Sequence, residues 1–325
     1  MKAYKHSTAM ERLLAAQRAA QTLQIAFLDL DGTWAGPPDD QQTVRDLLEA
    51  SRYVICHVTS RPAEACMSWR ERARSSPAIR RRPHATVDPA TVAELRGLLD
   101  PDIIISSSGI EILLKQTAGG YHLDELYQRR RPRPPQAWRD TVQPLLAAAT
   151  PRFTFTITDN EARDCRLKLV SESEQQTANL LAYLNHAPAA TRFHFARDHQ
   201  NIFITPATMS KEDAVNHVVT TLTALLQIPA RQLSLLLAGD STAEEAMGLQ
   251  AGPDSPAVFI IPGGASLARE IHLTESANDA ILPAGVYRVP NQSRLVVVGD
   301  QAYPGTRGPQ TLIAWLQSTH DQTSL

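Results

Sequence analysis

The stretch QIAFLDLDGTW (24–34) runs apolar to Leu28 and then sets two carboxylates one residue apart, Asp29 and Asp31, followed by Gly32 and Thr33. In an extended strand, residues two apart point the same way at a spacing of ~7 Å. Two such acids repel, so one would hold its proton unless a cation lies between them. A hard divalent ion that takes oxygen ligands, such as Mg2+, resolves that conflict. An isolated DxD on a surface turn is the plain alternative. Against it stands position: the pair closes an apolar strand, where ligand sites of open α/β sheets gather. A calcium loop of the helix–loop–helix type does not fit, because Trp34 stands where that loop needs Gly.

Three further polar clusters close other apolar runs. YVICHVTSR (53–61) ends in Thr59, Ser60 and Arg61, two hydroxyls and a guanidinium that suit a phosphate oxygen. Ser or Thr before Pro62 also reads as an ordinary helix cap. LSLLLAGDS (233–241) ends in Asp240, with Glu244 four residues on, and both acids can reach one metal from a helix mouth. Acids at a helix start also simply complement its dipole. In TPATMSKEDAVNHVV, Lys211 opens an amphipathic helix behind Ser210 as cap. A cation in a first turn opposes the helix dipole, which makes sense if it faces an anion.

These clusters need elements to hold them. Short Val/Ile/Leu runs at 25–31, 53–61, 102–109, 233–241 and 257–264 are separated by helical patterns. Strands buried on both faces read this way, and helices between them imply a parallel sheet. From about 113 to 205 the runs RFTFTITD, CRLKLVSE, TRFHFARD and NIFITP alternate polar with apolar, which predicts antiparallel strands with one wet face. Helices are expected at 135–149 and 173–186. The expected division is therefore a helical extension over 1–22, a discontinuous core over 23–112 and 206–325, and an inserted module over 113–205. The extension is expected to pack on its own domain. The basic stretch RERARSSPAIRRRPH (70–84) reads as a solvated loop.

A net charge of -2 gives no reason to expect nucleic acid or a membrane surface as partner. No segment has the length and apolarity of a membrane span, and the N-terminal segment lacks the apolar core of a signal peptide. Cysteines at 56, 66 and 165 form no CxxC pair or metal-ligand spacing. A cytoplasmic location is the expectation.

The ordered set DLDGT (29–33), Thr59 in VTSR, Lys211 in MSKED and GDSTAEE (239–245) resembles the haloacid-dehalogenase-like phosphohydrolase superfamily. The insertion between the second and third motifs is similar to its class-II cap arrangement. DLDGTW, SSGIEI and NIFITPATMSK look most like the sucrose-phosphatase branch and related sugar phosphatases. The resemblance implies an α/β fold, a Rossmann-like parallel core with an inserted α+β cap holding an antiparallel sheet. It implies Asp29 as nucleophile, Asp31 as general acid and then base, and Thr59 and Lys211 on phosphate oxygens, with Ser60, Arg61 and Gly32 beside them. It implies Mg2+ held by Asp29, the Asp31 backbone carbonyl and Asp240, with Glu244 helping directly or through water, and a sugar phosphate or similar small ester as substrate. Lys168 in the cap would touch the sugar or phosphate, or be an exposed strand lysine. Trp34 would stack on a sugar ring or close the core.

Two departures stand out. Ala243 and Glu244 replace the Asn and Asp of the usual GDSxND, and SSSGIE stands where relatives often carry Asn-Gly. They motivate a second expectation, a binding or regulatory protein on this scaffold. A third, a DxD glycosyltransferase, leaves Lys211 and the GDS acids without a role.

Overall fold

The computed structural model describes residues 8–34, 38–61, 63, 66, 101–116, 121–132, 135–158, 165–229, 232–239, 257–262, 286–288, 295–298, 313 and 316–317. Strands are β1 Leu23–Asp29, β2 Val54–Val58, β3 Ile103–Ser106, β4 Glu111–Lys115, β5 Tyr121–Leu123, β6 Phe155–Thr158, β7 Leu167–Ser171, β8 Phe193–Asp198, β9 Asn201–Pro206, β10 Leu233–Ala238, β11 Ala257–Pro262, β12 Val286–Arg288 and β13 Leu295–Val298. Helices are α1 Thr8–Ala20, α2 Pro38–Ala50, α3 Glu125–Gln128, α4 Pro135–Ala149, α5 Glu174–Asn185 and α6 Lys211–Leu226.

Among the described residues, nine strands form one sheet in the order β12-β13-β11-β10-β1-β2-β3-β4-β5. Six of them, β13 through β3, are parallel, and antiparallel strands close both edges. The other four strands make an antiparallel sheet, β6-β7-β9-β8. The architecture is α/β, a Rossmann-like parallel core and a separate α+β cap, as the runs of the sequence predict.

Core strands are mostly apolar because helices cover both faces. Ile25 and Phe27 of β1 join α1 and α6 through Leu14, Val215, Val218 and Leu222. Ala26 and Leu28 face the other way, against Val44 and Leu48 of α2. Helix α1 is tied down further: the buried Gln17 Nε2 donates to the carbonyls of Gln24 and Arg52, and Arg18 Nη2 to that of Leu225. In the cap, Trp138, Val142, Leu180 and Leu184 of α4 and α5 cover one face of the sheet, against Leu167, Leu169, Ile202 and Ile204.

The boundary expected at 113 falls inside β4, which pairs with β3, and β5 pairs with β4 in turn. The hairpin therefore extends the large sheet, and the antiparallel module begins after it. Alternation identifies antiparallel strands but not the sheet they join, and antiparallel strands commonly edge a parallel sheet. The expected loop at 70–84 lies outside the described residues. No helix among the described residues is long and apolar enough to cross a membrane.

Candidate active site

Strand β1 lies between β10 and β2, where the strand order reverses: β2 and β3 follow on one side, β10 and β11 on the other. A crevice opens at the carboxyl ends of such strands. Asp29, the last residue of β1, sits there with 6% of its surface exposed. Beyond it the chain makes one wide helical turn, Leu30–Trp34. Register sets Asp29 against Val58, so Thr59 leaves the neighbouring strand at the same level. On the other side Leu28 pairs with Ala238, and the buried Gly239 follows.

Lys211 Nζ lies 3.2 Å from Asp29 Oδ1 across 182 residues of sequence, and both side chains are buried. The lysine is the first residue of α6. Ser210 caps that helix by accepting the Asp213 amide at 3.0 Å, while Asp213 Oδ2 accepts the Ser210 amide at 3.1 Å. This reciprocal pair satisfies two amides that the helix start would leave open. It also neutralises the local cost of opening a helix with a cation, since Glu212 and Asp213 follow in the first turn. An ion pair removed from water in this way is costly unless well made, which makes this strand end the candidate site.

Thr59 is buried. Its hydroxyl accepts the Arg61 amide at 3.0 Å and keeps its proton to donate. The carbonyl of Ser60 accepts Arg166 Nη1 at 2.6 Å. Arg166 directly precedes β7, so this bond joins cap to core beside Thr59. Its guanidinium lies 4.4 Å from the centre of the Phe203 ring. Lys168, two residues on and hence on the same face, lies 5.7 Å from that ring.

The loop after β3 links these parts. Ser107 N donates to Arg61 O at 2.8 Å, and Ser108 N to Thr59 O at 3.1 Å. Ser107, Ser108 and Gly109 have φ of 58°, 59° and 94°, a run of left-handed residues. Glu111 secures it, accepting from the hydroxyls of Ser106 and Ser107 at 3.2 and 2.9 Å. The Ser108 hydroxyl is buried with no hydrogen-bond partner among the described residues, as is that of Thr33.

Of the residues read from sequence, Asp29 and Lys211 meet, and Thr59, Ser60 and Arg61 line the neighbouring strand end. Gly32 lies in the turn after β1, and Lys168 lies on the cap. The Asp31 side chain, Asp240 and Glu244 lie outside the described residues. Trp34 is core: 1% exposed, it packs against His57 with ring centroids 5.0 Å apart. Sequence reasoning missed Arg166, Gly109 and Glu111. SSSG before an acid was their signal, a small-residue run suited to left-handed backbone between two strands.

No family model and no curated protein matches the sequence. Solved structures do. The C-terminal domain of Candida albicans trehalose-6-phosphate phosphatase is 14% identical, with a TM-score of 0.52 over 96% of this chain and 99% of that one. SMU.1108c from Streptococcus mutans is 10% identical, with a TM-score of 0.50 over 94% and 100%. A haloacid-dehalogenase-like hydrolase from Bacillus subtilis aligns over 91% and 99% at 11% identity, with a TM-score of 0.48. At such identities the first two likenesses speak to fold, and they extend over the cap as well as the core. This chain shares the fold of those two structures, a Rossmann-like core carrying an inserted cap.

Proposed function

We propose that this chain is a Mg2+-dependent phosphatase that hydrolyses a phosphate monoester of a sugar or similar small polar metabolite in the cytoplasm. The observation that carries the reading is the buried contact of Lys211 Nζ with Asp29 Oδ1 at 3.2 Å, at the carboxyl end of the central strand. A fold shared with a trehalose-6-phosphate phosphatase domain supports the ester class.

A carboxylate nucleophile splits the displacement into two steps. Asp29 attacks phosphorus and the bond to the leaving oxygen breaks, with Asp31 giving that oxygen its proton. Water then attacks the aspartyl-phosphate, Asp31 takes a proton, and inorganic phosphate leaves. Lys211 and the Thr59 hydroxyl hold the equatorial oxygens, with Ser60, Arg61 and the Gly32 backbone lining the same strand ends. Such transfer depends chiefly on position and positive charge. A buried carboxylate at a strand end is a fitting hard-oxygen donor for Mg2+; Asp31, Asp240 and Glu244 would complete the set. Bound there, the ion would offset charge on the transferring group. The cap, seated through Arg166, would exclude water, and Lys168 would meet the leaving group.

A panel of sugar phosphates with Mg2+ tests this. Release of phosphate from at least one ester, lost in Asp29→Asn, is the expected result. Affinity for inorganic phosphate without turnover of any ester would replace the phosphatase by a binding protein.

A further inference from the structure

The cap hangs from two connections, and both return to Lys211. The incoming connection leaves from α3. There Tyr127, fully buried, donates its hydroxyl to the Gly109 carbonyl at 2.7 Å, and Gln128 Nε2 donates to the Ile110 carbonyl at 3.1 Å. The outgoing connection leaves β9 at Pro206 and enters α6 at Lys211, with Met209 N bonded back to Pro206 O at 2.9 Å.

Gly109 lies between them. A Cβ on it would overlap the Ser210 carbonyl and the Lys211 amide. The loop backbone therefore rests directly on the helix start that carries the lysine. Three successive left-handed residues cost on the order of 1–2 kcal/mol for each residue that is not glycine, and persist only where their surroundings over-determine them. Tyr127 is part of that determination. Its hydroxyl holds Gly109, and its ring lies 5.0 Å from the His217 ring on α6. Asp124 fixes the arrangement: Oδ1 caps α3 through the amides of Leu126 and Tyr127, and Oδ2 meets His217 Nε2 at 2.9 Å. One buried group at the root of the cap thus grips both the loop and the helix that place the cation.

We propose that Tyr127 is a positioning residue: through the Gly109 carbonyl it holds the first turn of α6, and with it Lys211 Nζ, against Asp29. Cap seating and cation placement are then one mechanical unit. The proposal rests on the reading of Asp29 and Lys211 as the phosphoryl-handling pair.

Tyr127→Phe keeps the ring and its packing and removes the hydroxyl. In the full chain, kcat for p-nitrophenyl phosphate should fall roughly ten- to a hundredfold with KM within about twofold, the pattern of a misplaced group rather than a lost contact. Labelling of Lys211 by an amine-selective reagent, mapped by mass spectrometry without substrate, should rise several-fold. Asp29→Asn gives the positive control for that labelling. Unchanged kcat and unchanged Lys211 labelling, with or without a lower Tm, overturn the proposal. Should wild-type protein hydrolyse no ester, the phosphatase reading fails, and the labelling arm still decides on Tyr127. Should Tyr127→Phe not fold, Asp124→Asn loosens the same residue while keeping an oxygen for the cap. Raised labelling there supports the proposal, and wild-type labelling overturns it.

Discussion

Strand β1 is buried at every position from Ile25 to Asp29, whereas β7 buries Leu167, Leu169 and Ser171 and leaves Lys168 and Val170 half-exposed. Both are short, both lie inside their sheets, and both carry charge. The difference is what the charge meets. With helices on both faces, β1 has no place for a carboxylate except its end, and there Asp29 is held by a specific cation from α6. Strand β7, with its described helices on one face, carries Lys168 on the other, 5.7 Å from the ring centre of the buried Phe203. Under the proposed function, reaction chemistry falls to the end of β1 and contact with the leaving group to the Lys168 face of β7.

Lys211→Met attacks that division at its strongest point. It should lower kcat by roughly 10²–10³-fold, as loss of one group facing developing charge does. Leaving Asp29 buried without its cation should also cost about 3–5 kcal/mol in urea unfolding in metal-free buffer. Leu169→Ala, fully buried in the cap, should cost a similar 2–5 kcal/mol. It should nonetheless leave turnover of a small aryl phosphate within about threefold at temperatures where the cap stays folded, since it packs in the cap's own core cluster beneath α4 and α5. Equal kinetic losses in the two variants would erase the distinction.

Arg166→Met sharpens the contrast at the seam. The bond to the Ser60 carbonyl has a charged donor, worth about 1.5–3 kcal/mol, so KM for a sugar phosphate should rise about tenfold or more with a smaller change in kcat. A change confined to kcat would move Arg166 into the reaction itself.

The smallest effect concerns acid. His194 on β8 has its pKa pushed below the ordinary 6.5, first by burial, with the Asp213 carboxylate pulling it partly back. The folded state thus prefers the neutral ring. The stability this gives is complete above the unfolded value and is lost as pH falls through it toward the folded one. Thermal unfolding from pH 7.5 to 5 should show a decline that flattens in His194→Gln. A slope unchanged by the substitution would place the acid sensitivity elsewhere.

Much of this was legible in the chain. Apolar runs gave the parallel strands, alternation gave the cap sheet, and Ser210 before Lys211 gave the helix start and its cation. Those signals are local: a period of two, a cap residue, a charge out of place. The edge hairpin β4–β5 was assigned to the wrong side of the boundary because strand pattern does not encode a partner. Arg166 was invisible for a related reason, as its acceptor lies 106 residues away. Tyr127 gave no signal at all, since a hydroxyl bound to a backbone carbonyl leaves no mark on periodicity. Trp34 was open between ring stacking and core, and burial against His57 decided for core.

The separation of 182 positions between Asp29 and Lys211 also sets an order of events during synthesis. At ribosomal speeds of about 5–20 residues per second, the nascent chain displays β1 for roughly 10–35 s before its lysine emerges, and β10 comes later still. Through that interval one edge of the central strand stays open, an adhesive surface for neighbouring chains. The cap, whose helices and strands are contiguous, can finish folding first. Its completion delivers Lys211, and then β10, to a waiting half-sheet.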